Sequence, residues 1–179
     1  AVRNKDKVGL LIASDQVERY IPIKKGRTHV LRVVREILYF QPKHRGTNLK
    51  VAVEYLNRVL RRTSVVFLIS DFLDQGYERA LRIMSQKHDL IAIHLVDPRE
   101  QALPAVGLLE VEDAETGERA FVDTGDPRFR KHYEEAAKER EENLDRLFKS
   151  FGIDRIVIDI SKPSSEPLMK FFKARERRL

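Results

Sequence analysis

The chain contains no cysteine, which excludes a disulfide framework and any thiolate zinc site and is compatible with a reducing compartment. It has no run of about eighteen apolar residues, so no segment reads as a membrane-spanning helix, and its opening residues show no signal-peptide pattern. Neither Gly-x-Gly-x-x-Gly nor Gly-x-x-x-x-Gly-Lys occurs, so the two common phosphate-cradling loops are missing. No Gly-x-Ser-x-Gly occurs either, so no nucleophile elbow is expected. His29, His44, His88, His94 and His132 are scattered, and none pairs with another at metal-ligand spacing.

What remains is an ordinary domain's worth of core. The chain has 179 residues, 42% of them hydrophobic, enough for one domain spanning residues 1–179. Net charge is +6, with a pI near 9.6. A basic balance suits nucleic acid, an acidic partner or an anionic membrane surface. The basic residues are mostly spread along the chain. Local clusters occur at Lys24, Lys25 and Arg27, and in the tail at Lys170, Lys173, Arg175, Arg177 and Arg178. The chain opens Ala1-Val2-Arg3 without Met, the pattern expected of a piece of something longer.

Residues 7–14 read as a buried strand and 17–23 alternate, so the two predict a hairpin. Residues 28–40 carry Val30, Leu31, Val34, Ile37 and Leu38 at helical spacing. A second helix starts at Thr47 or Asn48, with Leu49, Val53, Leu56 and Leu60 on one face. Strand 64–70, helix 77–87 and strand 89–96 follow, and Asp97-Pro98 closes the last of these. Residues 107–124 predict a small hairpin turning at Glu115-Thr116-Gly117. A long amphipathic helix follows Pro127, then strand 153–160 and a closing helix with Pro167 in its first turn. Alternation of strand and helix from residue 64 onward predicts a mostly parallel sheet with covering helices. His94, inside a strand, reads as a core residue. The aromatic residues, at helical spacing, read as core rather than a base-stacking surface.

Two loops stand out. Val65 to Ile69 is an unbroken apolar run, read as a strand covered on both faces. It ends in Ser70, Asp71 and Asp74. In open parallel sheets, ligands bind past the carboxyl ends of strands. The other loop, Arg45-Gly46-Thr47-Asn48-Leu49, enters the second helix. Together they offer the Thr47 hydroxyl and the Asp71 and Asp74 carboxylates, oxygen ligands that suit a hard divalent cation. Two local alternatives stand beside this: Thr47 as a helix N-cap, and Asp71 as the cap of the helix that follows.

The segment Gly46-Thr47-Asn48-Leu49, followed one helix later by "VVFLISDF", resembles the second and third parts of the metal-ion-dependent adhesion site of von Willebrand factor A-type domains. "KVGLLIASDQVERYIPIKKG", "HDLIAIHLVDPREQALPAVGLLEVEDAETGE" and "PLMKFFKARERR" resemble the domain-of-unknown-function family fifty-eight, bacterial proteins often encoded beside MoxR-type AAA+ ATPases. The resemblance covers nearly the whole chain. It implies an α/β, Rossmann-like, three-layer fold with helices on both faces of a mostly parallel sheet. It also implies a non-enzymatic role in binding or assembly, with an AAA+ ATPase or its client as protein partner. Thr47 and Asp71 match two elements of the metal site, so Mg²⁺ or Mn²⁺ is the implied ion, bound weakly or not at all by this chain. The first element, Asp-x-Ser-x-Ser, has no counterpart in order. Asp159-Ile160-Ser161-Lys162-Pro163 is the nearest match, after the wrong strand and with proline at the last serine.

In the family that first element follows the central strand, which would precede Ala1. Strands 7–14 and 64–70 are then expected to have open edges, which invite pairing with each other or with another chain. Two other functions are open from the residues: a metal-dependent hydrolase using Asp71 and Asp74, and a basic nucleic-acid scaffold using Lys170, Lys173 and Arg175. The hydrolase lacks an evident base or phosphate grip, and the scaffold lacks a dense basic stripe, so nucleic acid is not the expected partner. The expected location is the cytoplasm, with a membrane anchor left open for a longer parent protein.

Overall fold

The computed structural model describes residues 6–112 and 117–177. In chain order the elements are β1 (Val8–Ala13), β2 (Val17–Lys24), α1 (Arg27–Tyr39), α2 (Leu49–Val59), β3 (Val65–Ser70), α3 (Glu78–Lys87), β4 (Asp89–Val96), α4 (Pro98–Gln101), β5 (Leu108–Glu112), β6 (Arg119–Asp123), α5 (Pro127–Ser150), β7 (Asp154–Asp159) and α6 (Ser165–Glu176). Every element expected from periodicity is present, and α4 is the one added. The described residues gather into two compact units, one of residues 6–61 and 74–81, the other of 62–73, 82–112 and 117–177.

In the first unit β1 and β2 form the expected antiparallel hairpin, with Leu10 opposite Ile21. Gly9 permits their close approach, because a Cβ there would sit 3.0 Å from the Ile21 carbonyl oxygen. Helices α1 and α2 pack on β1, and the His29 ring bonds the Val8 carbonyl oxygen at 2.9 Å. Ile21, Val33, Leu49, Ala52, Val53, Tyr77, Ala80 and Leu81 are buried. Helix α1 turns Val33 inward, while Leu31, Val34, Ile37 and Leu38 are exposed. Helical spacing identified the helix without telling which of its apolar residues are covered.

The second unit is built on a parallel sheet of order β3-β4-β7. Ile91, Ile93, Ile156 and Ile158 share one face, against Leu168 and Phe171 of α6. Phe148 of α5 is fully buried and carries the Arg155 guanidinium over its ring. The expectation that β3 is covered on both faces is not met. Val66 is buried, whereas Val65, Phe67 and Ile69 on the alternate face are 56%, 44% and 59% exposed. A helix is about 10 Å wide and strands lie about 4.8 Å apart, so one helix covers roughly two strands. Helix α6 lies against β7, and on β3 it meets Phe67 through Phe172, ring centroids 6.1 Å apart. The hairpin of β5 and β6 forms in the expected place, and residues 113–116 of its turn lie outside the described residues.

His88 is buried, and among the described residues neither ring nitrogen has a hydrogen-bond partner. Its pKa is lowered by burial, then by Lys87. His94 is lowered by burial, then by Arg155, with Glu141 and Asp71 opposing. Both rings therefore take up protons at lower pH folded than unfolded. Their contribution is intact above the ordinary imidazole value and is lost as pH falls below it. Urea unfolding at pH 7 and pH 5 is expected to show lower stability at pH 5. His88→Leu removes two unsatisfied buried nitrogens, so it is expected to stabilise by about 1 kcal/mol at pH 7 and to shrink the pH 5 loss. Equal losses in both proteins would contradict this role for His88.

Candidate functional site

Strand β3 ends at Ser70, and the next three residues turn sharply. Asp71 Oδ1 accepts from the Leu73 N–H and from the Ser70 hydroxyl, each at 3.3 Å. The Phe72 N–H donates to Ser70 Oγ at 3.0 Å. Phe72 has φ 58°, the sole positive value among described non-glycine residues. Such a backbone costs on the order of 1–3 kcal/mol and persists only where surroundings over-determine it. The surroundings here include two rings: Phe72 is buried edge-on to His94 at 5.7 Å and to Phe148 at 5.1 Å.

His94 ties this turn to the sheet. Its Nδ1 is bonded by Arg155, and its ring packs edge-on against Phe72 of the turn. Arg155 in turn holds Glu141 at 2.6 Å. His94 thus behaves as the core residue its position in a strand suggests, and it also anchors the Asp71 loop. Arg155 and Glu141 carry no sequence signal of this role, because they lie on β7 and α5, far along the chain.

A second carboxylate reaches the same edge from α4. The Glu100 pKa is raised by burial, then by the negative charges of Asp71 and Asp97. Asp97 caps α4, accepting from the Arg99 N–H at 2.9 Å. The run Asp97-Pro98-Arg99-Glu100 held a readable signal, a capping residue before proline with glutamate three residues on.

Thr47 lies in the first unit, in the loop before α2. The cap of α2 is Asn48, whose Oδ1 accepts from the Val51 N–H at 3.1 Å. Asp74 adds a second cap, its Oδ2 accepting from the Leu49 N–H at 2.7 Å and its Oδ1 from the Gln75 N–H at 2.7 Å. So Thr47 is not the N-cap. Nor does Asp71 cap the following helix, which begins at Glu78. Asp159 and Ser161 form a local turn, Ser161 Oγ donating to Asp159 Oδ1 at 2.6 Å, and with Lys162 they hold that carboxyl at about 2.

A hydroxyl and a carboxylate have the right chemistry for a hard cation. Taken by themselves they would supply two of the roughly six oxygen ligands that Mg²⁺ requires. Among the described residues no group of three or more His, Cys, Asp or Glu could hold a metal ion. Glu100 senses the charges of Asp71 and Asp97 without the three forming such a group. Thr47 and Asp71 fit the ion in kind, not in number.

Comparison with known proteins supplies the family. The model for "Protein of unknown function DUF58" matches residues 1–143. The chain belongs to this family. Uncharacterized proteins of Mycobacterium tuberculosis and Mycobacterium bovis are each 30% identical to the DUF58 chain over 176 residues, 96% of it. The chain spans 55% of their length. An uncharacterized Mycobacterium avium protein is 29% identical, with 88% of the chain matching 94% of that protein. Among solved structures, the conserved hypothetical protein BatB from Bacteroides thetaiotaomicron is similar at a TM-score of 0.54 and 14% identity, covering 96% of the DUF58 chain and 79% of BatB. That likeness speaks for the fold alone. Among the described residues no helix is long and apolar enough to cross a membrane.

Proposed function

We propose that this chain is a non-enzymatic interaction and assembly module of von Willebrand A type, built on a Rossmann-like sheet. The observation that carries the reading is β3. It hydrogen-bonds on one edge alone among the described residues, exposes Val65, Phe67 and Ile69, and delivers Asp71 in a strained, buttressed turn at its carboxyl end. A strand of this kind is built for contact with another chain. Nothing about the turn requires Asp71 for bond-making chemistry, and Asp74, the other carboxylate of a hydrolase reading, is engaged at the N-terminus of α2.

In this proposal Thr47 and Asp71 each give one oxygen to Mg²⁺ or Mn²⁺. Groups beyond these two complete the ion, including a carboxylate from the partner. A MoxR-type AAA+ ATPase or its client is the proposed partner, on the cytoplasmic side. The ion would supply a positive charge for that carboxylate, and this chain's residues would orient it. A second copy of the chain could use the open edges of β1 and β3.

The test is calorimetric titration of the chain with Mg²⁺ and Mn²⁺, beside Thr47→Ala and Asp71→Ala. Expected is stoichiometric binding that weakens at least tenfold in each variant. Binding equal in all three proteins would remove both residues from the site.

A further inference from the structure

Helix α1 presents its apolar residues outward. Leu31, Val34, Ile37, Leu38 and Tyr39 are 58%, 45%, 55%, 72% and 80% exposed, while Val33 is its buried residue. At about 100° per residue, Leu31, Val34 and Leu38 fall within an arc of roughly 60°. Arg27 lies on that arc, Arg35 stands about 40° beyond Leu31, and Tyr39 and Arg32 lie further round the same side. Lys24 and Lys25 precede the helix and are exposed. The helix has one acidic residue, Glu36, which is taken up by Arg19 at 2.6 Å with its side chain 19% exposed. Among the described residues of α1, the outer face therefore combines an apolar ridge with basic side chains and no acidic one.

Neither the Asp71 turn nor the β3 edge explains this surface. A helix whose apolar ridge is bordered by arginine and lysine suits one environment closely. The ridge enters the boundary between headgroups and acyl chains, and the long basic stems lift their charges to anionic headgroups. A protein groove of ordinary composition would offer both signs of charge, and α1 offers nothing to its cationic half. We propose that α1 docks this domain on the surface of an anionic lipid bilayer. The apolar ridge supplies insertion, and the basic residues select negative headgroups.

The experiment is sedimentation of the whole chain with vesicles of 30% phosphatidylglycerol in phosphatidylcholine, against vesicles of phosphatidylcholine alone. Expected is binding to the first and little to the second, falling as salt rises. Each basic residue near an anionic surface contributes about 1 kcal/mol, so Arg32→Gln with Arg35→Gln is expected to weaken binding about thirtyfold. Leu31→Glu with Leu38→Glu is expected to abolish it. All four positions are on the solvent side, so circular dichroism should be unchanged. Absence of vesicle binding would overturn the proposal and leave the ridge to a protein partner. So would equal binding to neutral vesicles, or binding that survives both double variants.

Discussion

Phe148→Ala is expected to cost about 3–5 kcal/mol of unfolding free energy, the range for deleting a large buried ring. Phe148 is 1% exposed and stands at the C-terminal end of α5. One side of its ring meets Phe72 at 5.1 Å, and the Arg155 guanidinium lies 6.0 Å from its centroid. The backbone continues the anchoring, since the Phe148 carbonyl accepts from the Ile153 N–H at 2.9 Å just before β7. Alanine leaves a cavity under Phe72, and Phe72 has positive φ because its ring is wedged. Without the wedge the Ser70–Leu73 turn is expected to relax and Asp71 to lose its fixed position. Urea unfolding reads the first effect, and amide hydrogen exchange at Leu73 reads the second. Phe148→Leu keeps most of the volume and is expected to cost less than half as much. A loss under about 1 kcal/mol for the alanine variant would mean that the ring is not part of a packed core.

Val65→Lys with Ile69→Lys is expected to abolish self-association. Both side chains are more than half exposed on the edge strand β3. The strand Val65–Ser70 carries no charge, no proline and no bulge, the devices that usually protect an edge. Wild-type protein is expected to gain mass with concentration in sedimentation equilibrium. The double variant should remain at 20.9 kDa, the mass of one chain. Because both positions are exposed, folding stability should change by less than about 0.5 kcal/mol per site. A wild-type chain that stays monomeric at high concentration would remove the edge from the proposed function. A variant that associates as strongly as wild type would place the contact elsewhere.

Much of the site could be read locally. Asp71 was visible because an apolar run stops at an acid, and a strand end is where sheets of this class place ligands. The start of the second helix was open between Thr47 and Asn48, and the structure makes Asn48 the cap by giving its side chain the Val51 N–H. The start of α4 at Asp97-Pro98-Arg99-Glu100 was legible, but the raised Glu100 pKa was not, because it comes from burial and from Asp71 at the end of another strand as well as from Asp97. The support beneath Asp71 was hidden for the same reason. His94, Phe148 and Arg155 meet through elements separated by up to 61 residues, and no short-range pattern encodes such a meeting.

The sequence by itself determined the order and type of the elements, the parallel character of the later sheet and the family. These rest on apolar periodicity, on breakers such as Asp97-Pro98, and on motif strings, all of which act over a few residues. Only the tertiary structure decided which apolar faces are covered. Val65, Phe67 and Ile69 have the composition of a core strand, and Leu31, Val34 and Leu38 that of a core helix, yet both sets are exposed. Burial depends on what lies opposite. In this chain α6 packs over the isoleucines of β4 and β7 and touches β3 at Phe67, leaving Val65 and Ile69 exposed, and α1 turns Val33 inward while its ridge faces solvent.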